Sequence, residues 1–191
     1  MNLASHPAAH AADAADYGVH PAPETVRAQR LLPGPIARVW DYLVQPELRA
    51  TWIAGGVIEP RVGGQVELVF QHASLTPDDD APPPKYAAMR EEARMAGTVT
   101  AWEPPHRLAY TWGEDGGGAS HVLFELEEQG DRVRLRVTHT RLADRGLLLS
   151  VSAGWHAHLD ILRDRLEGRE PAGFWRRHTA LEAEYAQRLA D

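Results

Sequence analysis

The chain has 191 residues, no cysteine, a single lysine (Lys85) among 20 basic side chains, six tryptophans and a formal net charge of −7. Without cysteine there is no thiolate nucleophile, disulfide framework, iron–sulfur cluster or cysteine-containing zinc site; with Lys85 alone in a polar stretch, a Schiff-base lysine is disfavoured and the G-x-x-x-x-G-K-[ST] phosphate loop is missing. The acidic balance lacks the basic footprint of proteins that grip phosphate backbones, so no nucleic acid is expected as a partner.

At 43% hydrophobic and 25% charged, the composition is that of one ordinary globular domain. No membrane span is expected, because no run reaches the ~20 apolar residues required. The richest, 146–155, is broken by Ser150, Ser152 and Gly154. Residues 1–23 hold Asp13, Asp16 and three prolines but no lysine or arginine, and so lack the parts of a secretory signal. They are expected to be a disordered tail on a cytoplasmic protein whose single domain spans 24–191.

In chain order, 25–32 reads as a strand, closed by Pro33-Gly34-Pro35. Ile36, Val39, Trp40 and Leu43 then fall at i, i+3, i+4 and i+7, one face of a helix. A second short helix opens at Pro46, with Leu48 and Trp52 four apart, and Gly55-Gly56 stops it. The period then changes to two: 65–70, 107–112, 121–126 and 133–139 alternate as half-buried antiparallel strands, and 97–102 supplies another. Arg134 and Arg136, with Arg132, alternate onto the outer face beside Glu125 and Glu127 and are expected to form cross-strand ion pairs.

Residues 72–95 form a long acidic, proline-rich insertion. Its first half, with three aspartates and three consecutive prolines, is not expected to pack, whereas 86–95 could form a short helix with Met89 on one side. A solvated insertion and a lid over a cavity are both open readings. Beyond Arg141 the helical period returns: Trp155, Leu159, Leu162 and Leu166 mark a long amphipathic helix with Trp155 near its start, Asp160 on its polar side and Gly168 past its end. A further helix over 171–190 carries Phe174, His178, Leu181 and Tyr185 on one face.

The string PIARVWDYLVQPELRATWI resembles a known family, as do the strand pair from Gly97-Thr98-Val99 through Glu103-Pro104-Pro105-His106-Arg107-Leu108 to Tyr110-Thr111-Trp112, the strand end Thr138-His139-Thr140, and Gly154-Trp155-His156-Ala157-His158-Leu159-Asp160 with Leu166-Glu167-Gly168. The family is the bacterial branch related to the C-terminal domain of the activator of heat-shock-protein-90 ATPase, in the START-like, helix-grip SRPBCC superfamily, and the similarity covers residues 24–190. It implies an α+β helix-grip fold: a curved antiparallel sheet of about seven strands wrapped on the long C-terminal helix, with a hydrophobic tunnel between them. Activators that bind the chaperone carry an additional N-terminal domain, for which residues 1–23 are too short.

The expected function is therefore binding of a small hydrophobic molecule between sheet and helix. The expected lining is Trp52, Phe70, Tyr110, Trp112, Phe124, His139, Trp155 and Leu159, although Trp155 and the strand aromatics read equally as core. His139 continues the inward face of Val133, Leu135 and Val137, either as a satisfied core histidine or as a polar group facing a ligand. Alternatives are a chaperone ATPase-modulating module and a cyclase- or hydrolase-type enzyme using His139 and Tyr110. His156 and His158, two apart, diverge by about 200° on a helix and cannot share a metal ion. No metal or cofactor is expected, and a homodimer is left open.

Overall fold

The computed structural model describes residues 16–77, 81–113 and 119–189. The strand β1 (Val26–Pro33) alternates cleanly, with Val26, Ala28, Arg30 and Leu32 inward. The helix α1 (Ile36–Val44) buries Ile36, Val39, Trp40 and Leu43, the stripe that the sequence spacing defines.

The helix α2 (Pro46–Arg49) is shorter than its apolar spacing suggests. Its buried residue is Arg49, and Trp52 lies in the turn beyond, so Leu48 and Trp52 do not share a helical stripe. The Arg49 guanidinium donates to the carbonyls of Leu43, Val44, Ala54, Gly55 and Gly56 at 2.6 to 3.3 Å. Those bonds satisfy the open carbonyl end of α1 and hold the chain reversal.

With β1, the strands β2 (Gln65–Phe70), β3 (Ala93–Glu103), β4 (Arg107–Trp112), β5 (Ser120–Gln129) and β6 (Arg132–Thr140) form one open, curved antiparallel sheet ordered β1-β6-β5-β4-β3-β2. The count is six, not about seven. Residues 55–59 run beside β2 but pair with it only through the bridges Gly55↔Val69 and Ile58↔Val66. Two glycines at the start and Pro60 at the end deny that stretch a continuous ladder. Because β3 is longer than the expected 97–102, it serves two partners, β2 along its first half and β4 along its second, with a bulge between Val99 and Ala101. Glycine is required next to it: a Cβ on Gly97 would lie 2.1 Å from the Thr111 carbonyl oxygen. On the outer face the expected pairs form, Arg134 to Glu127 at 3.2 Å and Arg136 to Glu125 at 3.6 Å, but Arg132 turns instead to Glu167 and the Leu31 carbonyl.

The insertion between β2 and β3 packs more than its composition implies. His72, Leu75 and Thr76 are buried, while Asp78, Asp79 and Asp80 lie outside the described residues. The helix expected over 86–95 is a 3₁₀ segment, Pro84–Met89, because β3 claims the chain from Ala93.

The helix α3 (Arg145–Glu167) starts well before Trp155, which stands mid-helix. Asp144 caps it by accepting from the Leu147 N–H at 2.8 Å, and Gly168, at φ 70°, closes it in the left-handed conformation. The helix α4 (Phe174–Arg188) and β1 both pack on α3, so α3 buries Ser152, His156 and Ile161 as well as the Trp155–Leu159–Leu162–Leu166 stripe.

Asp160, expected on a polar face, instead meets Arg30. The wholly buried Arg30 side chain lies 2.9 Å from Asp160 and 3.7 Å from Asp16, and Arg163 reaches Asp16 at 2.7 Å and Asp160 at 3.1 Å. Residues 16–23 therefore belong with the domain rather than with a tail. Gly18 N–H donates to the Tyr185 hydroxyl at 2.6 Å, Tyr17 bonds Glu184, and Val19 bridges Arg27. Residues 1–15, the rest of the expected tail, lie outside the described residues. Among the described residues no helix is long and apolar enough to cross a membrane.

Candidate functional site

A cavity of about 300 Å³ lies where the sheet, the insertion, α3 and α4 meet. The sheet contributes Phe70 from β2, Trp112 from β4 and His139 from β6; α3 contributes Gly154, Trp155 and His158. From α4 come Phe174, Trp175 and His178, and from the insertion His72, Tyr86 and Met89. The rings interlock: Trp112 lies 5.7 Å from both Phe70 and Trp155, Phe174 4.8 Å from His72, and Tyr86 stacks on Trp175 at 5.5 Å. Edge-to-face and offset contacts at these separations fix the walls beyond what area burial alone provides.

The insertion closes one side through the chain's single lysine. Lys85 and the Tyr86 hydroxyl both engage Glu182 of α4, and the same hydroxyl lies 2.8 Å from Ser150 Oγ. The one phenolic proton goes to the carboxylate, so Ser150 donates to the phenol oxygen. Burial, with Glu182 adding to it, raises the Tyr86 pKa and keeps the phenol protonated.

Trp155 Nε1–H donates to His139 Nδ1 across 3.0 Å. An indole can only donate, so the His139 proton sits on Nε2 and is given to Ser120 Oγ at 2.8 Å. Burial, with a smaller contribution from His121, pushes His139 down to about 3. The ring is neutral and both nitrogens are committed, which leaves no free lone pair for base chemistry. Tyr110 packs behind the wall, stacked on Trp112 at 6.3 Å and tilted against Phe124 at 5.8 Å, and burial raises its pKa. His139 and Tyr110 thus do not form a catalytic pair facing the cavity.

Of the eight expected lining residues, Phe70, Trp112, His139 and Trp155 line the cavity. Trp52, Tyr110, Phe124 and Leu159 are buried in the core outside it. Trp52 donates its Nε1–H to the Tyr42 carbonyl at 2.8 Å, an internal anchor. His156 and His158 diverge as expected but both are buried: His156 faces the Tyr185 hydroxyl at 3.1 Å, and His158 Nδ1 the Trp52 carbonyl at 2.7 Å. Among the described residues no His, Asp and Glu group is arranged to hold a metal ion.

Sequence reasoning missed the contributions of His72, His158, His178, Trp175 and Gly154. The Phe174–His178 spacing was visible, but nothing in it says that the stripe faces a cavity rather than filled core. His72 and His178 each keep a buried Nδ1 with no partner among the described residues.

The family profile described as "Activator of Hsp90 ATPase homolog 1-like protein" matches residues 33–167. A Bordetella parapertussis protein solved by solution NMR is 44% identical, with 91% of this chain and 92% of that one covered and a TM-score of 0.74. CalU16 of Micromonospora echinospora is 21% identical, covers 87% and 88% of the two chains and superposes with a TM-score of 0.61. An Enterococcus faecalis protein of unknown function, at 18% identity, 88% and 87% coverage and a TM-score of 0.61, shares the fold. None of the curated proteins matches the chain. The family profile and the 44% identical relative agree with the helix-grip architecture, and the chain belongs to the activator of Hsp90 ATPase homolog 1-like family of the START-like SRPBCC superfamily.

Proposed function

We propose that this chain binds a small hydrophobic molecule in the cavity bounded by the sheet, the insertion and the two C-terminal helices, and that it does so in the cytoplasm. The observation that carries the reading is an aromatic-walled space of about 300 Å³, the lower end of the range for ligand sites. Gly154 supports it. Glycine inside a helix costs about 1 kcal/mol relative to alanine, and a Cβ there would meet nothing within 4 Å. The residue that would begin to fill the space is the one kept without a side chain.

Gly154→Phe tests the reading, because it projects a ring into open space. Naphthalene is expected to raise the Tm of the parent chain and to leave that of Gly154→Phe unchanged. Equal shifts, or none in the parent, would contradict the reading. The cysteine-free composition supports a reducing compartment.

A further inference from the structure

One wall of the cavity is attached differently from the others. The sheet is bonded strand to strand, and its rim at Met95 is pinned as well: the Gly113 N–H lies 3.0 Å from Met95 Sδ and 3.1 Å from the Ala96 carbonyl oxygen. Both α3 and α4 bury long stripes of side chains in the core. The segment Pro84–Met89 buries no residue, although its Tyr86 and Met89 line the cavity. Its 3₁₀ turns rest on Tyr86 N–H to the Pro83 carbonyl at 2.8 Å and Arg90 N–H to the Ala87 carbonyl at 3.2 Å, and such turns have poorer hydrogen-bond geometry than an α-helix.

The hold of this segment on the body of the protein converges on one carboxylate. Lys85 Nζ lies 2.5 Å from Glu182 Oε1, and the Tyr86 hydroxyl lies 3.0 Å from the same oxygen and 2.8 Å from Ser150 Oγ. The Tyr86 ring stacks on Trp175 at 5.5 Å and meets His178 edge-on at 5.1 Å. These contacts sit at the rim, where the Lys85 side chain is 57% exposed. A segment with little buried apolar area, tied down by polar contacts next to water, opens at lower free energy than the strands and helices around it. Short segments of this kind are the ones that act as lids.

We propose that Pro84–Met89 is the gate of the cavity and Glu182 its latch, so that a ligand enters and leaves by displacement of Tyr86 and Met89 rather than by parting of the sheet from α3. This rests on the cavity-binding reading above and adds the control of access to it. Because Glu182 ties the segment to α4 without lining the cavity, the latch holds the closed state equally whether the cavity is empty or filled. Loosening it raises the open population without favouring the ligand, so association and dissociation accelerate together while Kd stays the same.

Stopped-flow kinetics of naphthol, a neutral aromatic probe, with the full chain test the gate through tryptophan emission. Glu182→Ala leaves every lining side chain in place and is expected to raise both rate constants about tenfold, the equivalent of one well-made hydrogen bond, with Kd little changed. Lys85 is the only lysine, so carbodiimide coupling of Lys85 to Glu182 places one defined amide across the latch, identified by peptide mass. This bridge is expected to slow both association and dissociation well below the rates of the parent. It is made on the unchanged chain, and so stands even if the variant fails to fold. Rate constants unaffected by the variant and by the bridge, or a faster dissociation with association unchanged, would overturn the gate and leave the cavity reading intact. Absence of the coupled peptide would contradict the contact on which the latch stands, and no binding of naphthol to the parent would overturn both readings.

Discussion

Arg30 of β1 and Asp160 of α3 stand 2.9 Å apart with the arginine side chain wholly buried, and Asp16 and Arg163 complete the cluster from the N-terminal segment and α3. A buried pair of this kind adds little net stability as a unit, but removing one partner leaves the other charge underpaired in the core, at about 3–5 kcal/mol. Asp160→Ala is expected to lower the unfolding free energy by about 3 kcal/mol in urea titrations. A loss below about 1 kcal/mol, the value of an exposed pair, would mean that the cluster is solvated.

The pH dependence of folding follows from the buried histidines. Burial pushes His139 and His158 down to about 3 and His72 to about 4, against about 6.5 in the unfolded chain. Each is therefore unprotonated in the folded state where the unfolded state binds a proton. Their stabilisation is full above about pH 6.5 and is lost as pH falls toward the folded values, by up to about 1.4 kcal/mol per histidine per unit. The urea midpoint is expected to drop steeply between about pH 6.5 and 5, above the range in which ordinary carboxylates titrate. A flat profile across that window would show that these rings are exposed.

Much of this architecture is legible from residue spacing, and the departures have physical causes. The α1 stripe, the alternation in β1 and β6, the Gly168 stop and the outer-face pairs of Arg134 and Arg136 follow from local periodicity, which tertiary packing reinforces. Arg30 and Asp160 did not stand out, because each looks like a solvated charge until the fold brings the two together. Half of the expected cavity wall is core instead: an inward strand residue such as Phe124 or Tyr110 is buried either way, and only packing depth decides which one borders empty space. The α4 and insertion walls depend on long-range docking that no local period encodes.

Gly154 also offers a test in the stability of the fold. Gly154→Ala is expected to stabilise the fold by up to about 1 kcal/mol, because the helix gains propensity and the added carbon meets nothing within 4 Å. A destabilised variant in thermal or urea unfolding would show that the space is already filled.

The insertion is held to α4 through Lys85, Tyr86 and Glu182. Tyr86→Ala removes the ring stacked on Trp175 as well as the bond to Glu182. Tryptic cleavage after Arg90 is expected to accelerate several-fold, through local opening, with global stability reduced far less. Unchanged cleavage would mean that this contact does not hold the insertion in place.

The cavity itself is tested most directly by its tryptophans. Trp112, Trp155 and Trp175 line it, whereas Trp40 and Trp102 pack on each other at 5.4 Å and form no part of its wall. In proton–nitrogen correlation spectra of the indole groups, naphthol is expected to shift the Trp112, Trp155 and Trp175 signals saturably and to leave those of Trp40 and Trp102 in place. Shifts confined to Trp40 and Trp102, or no saturable shift at all, would contradict a binding site between the sheet and the C-terminal helices.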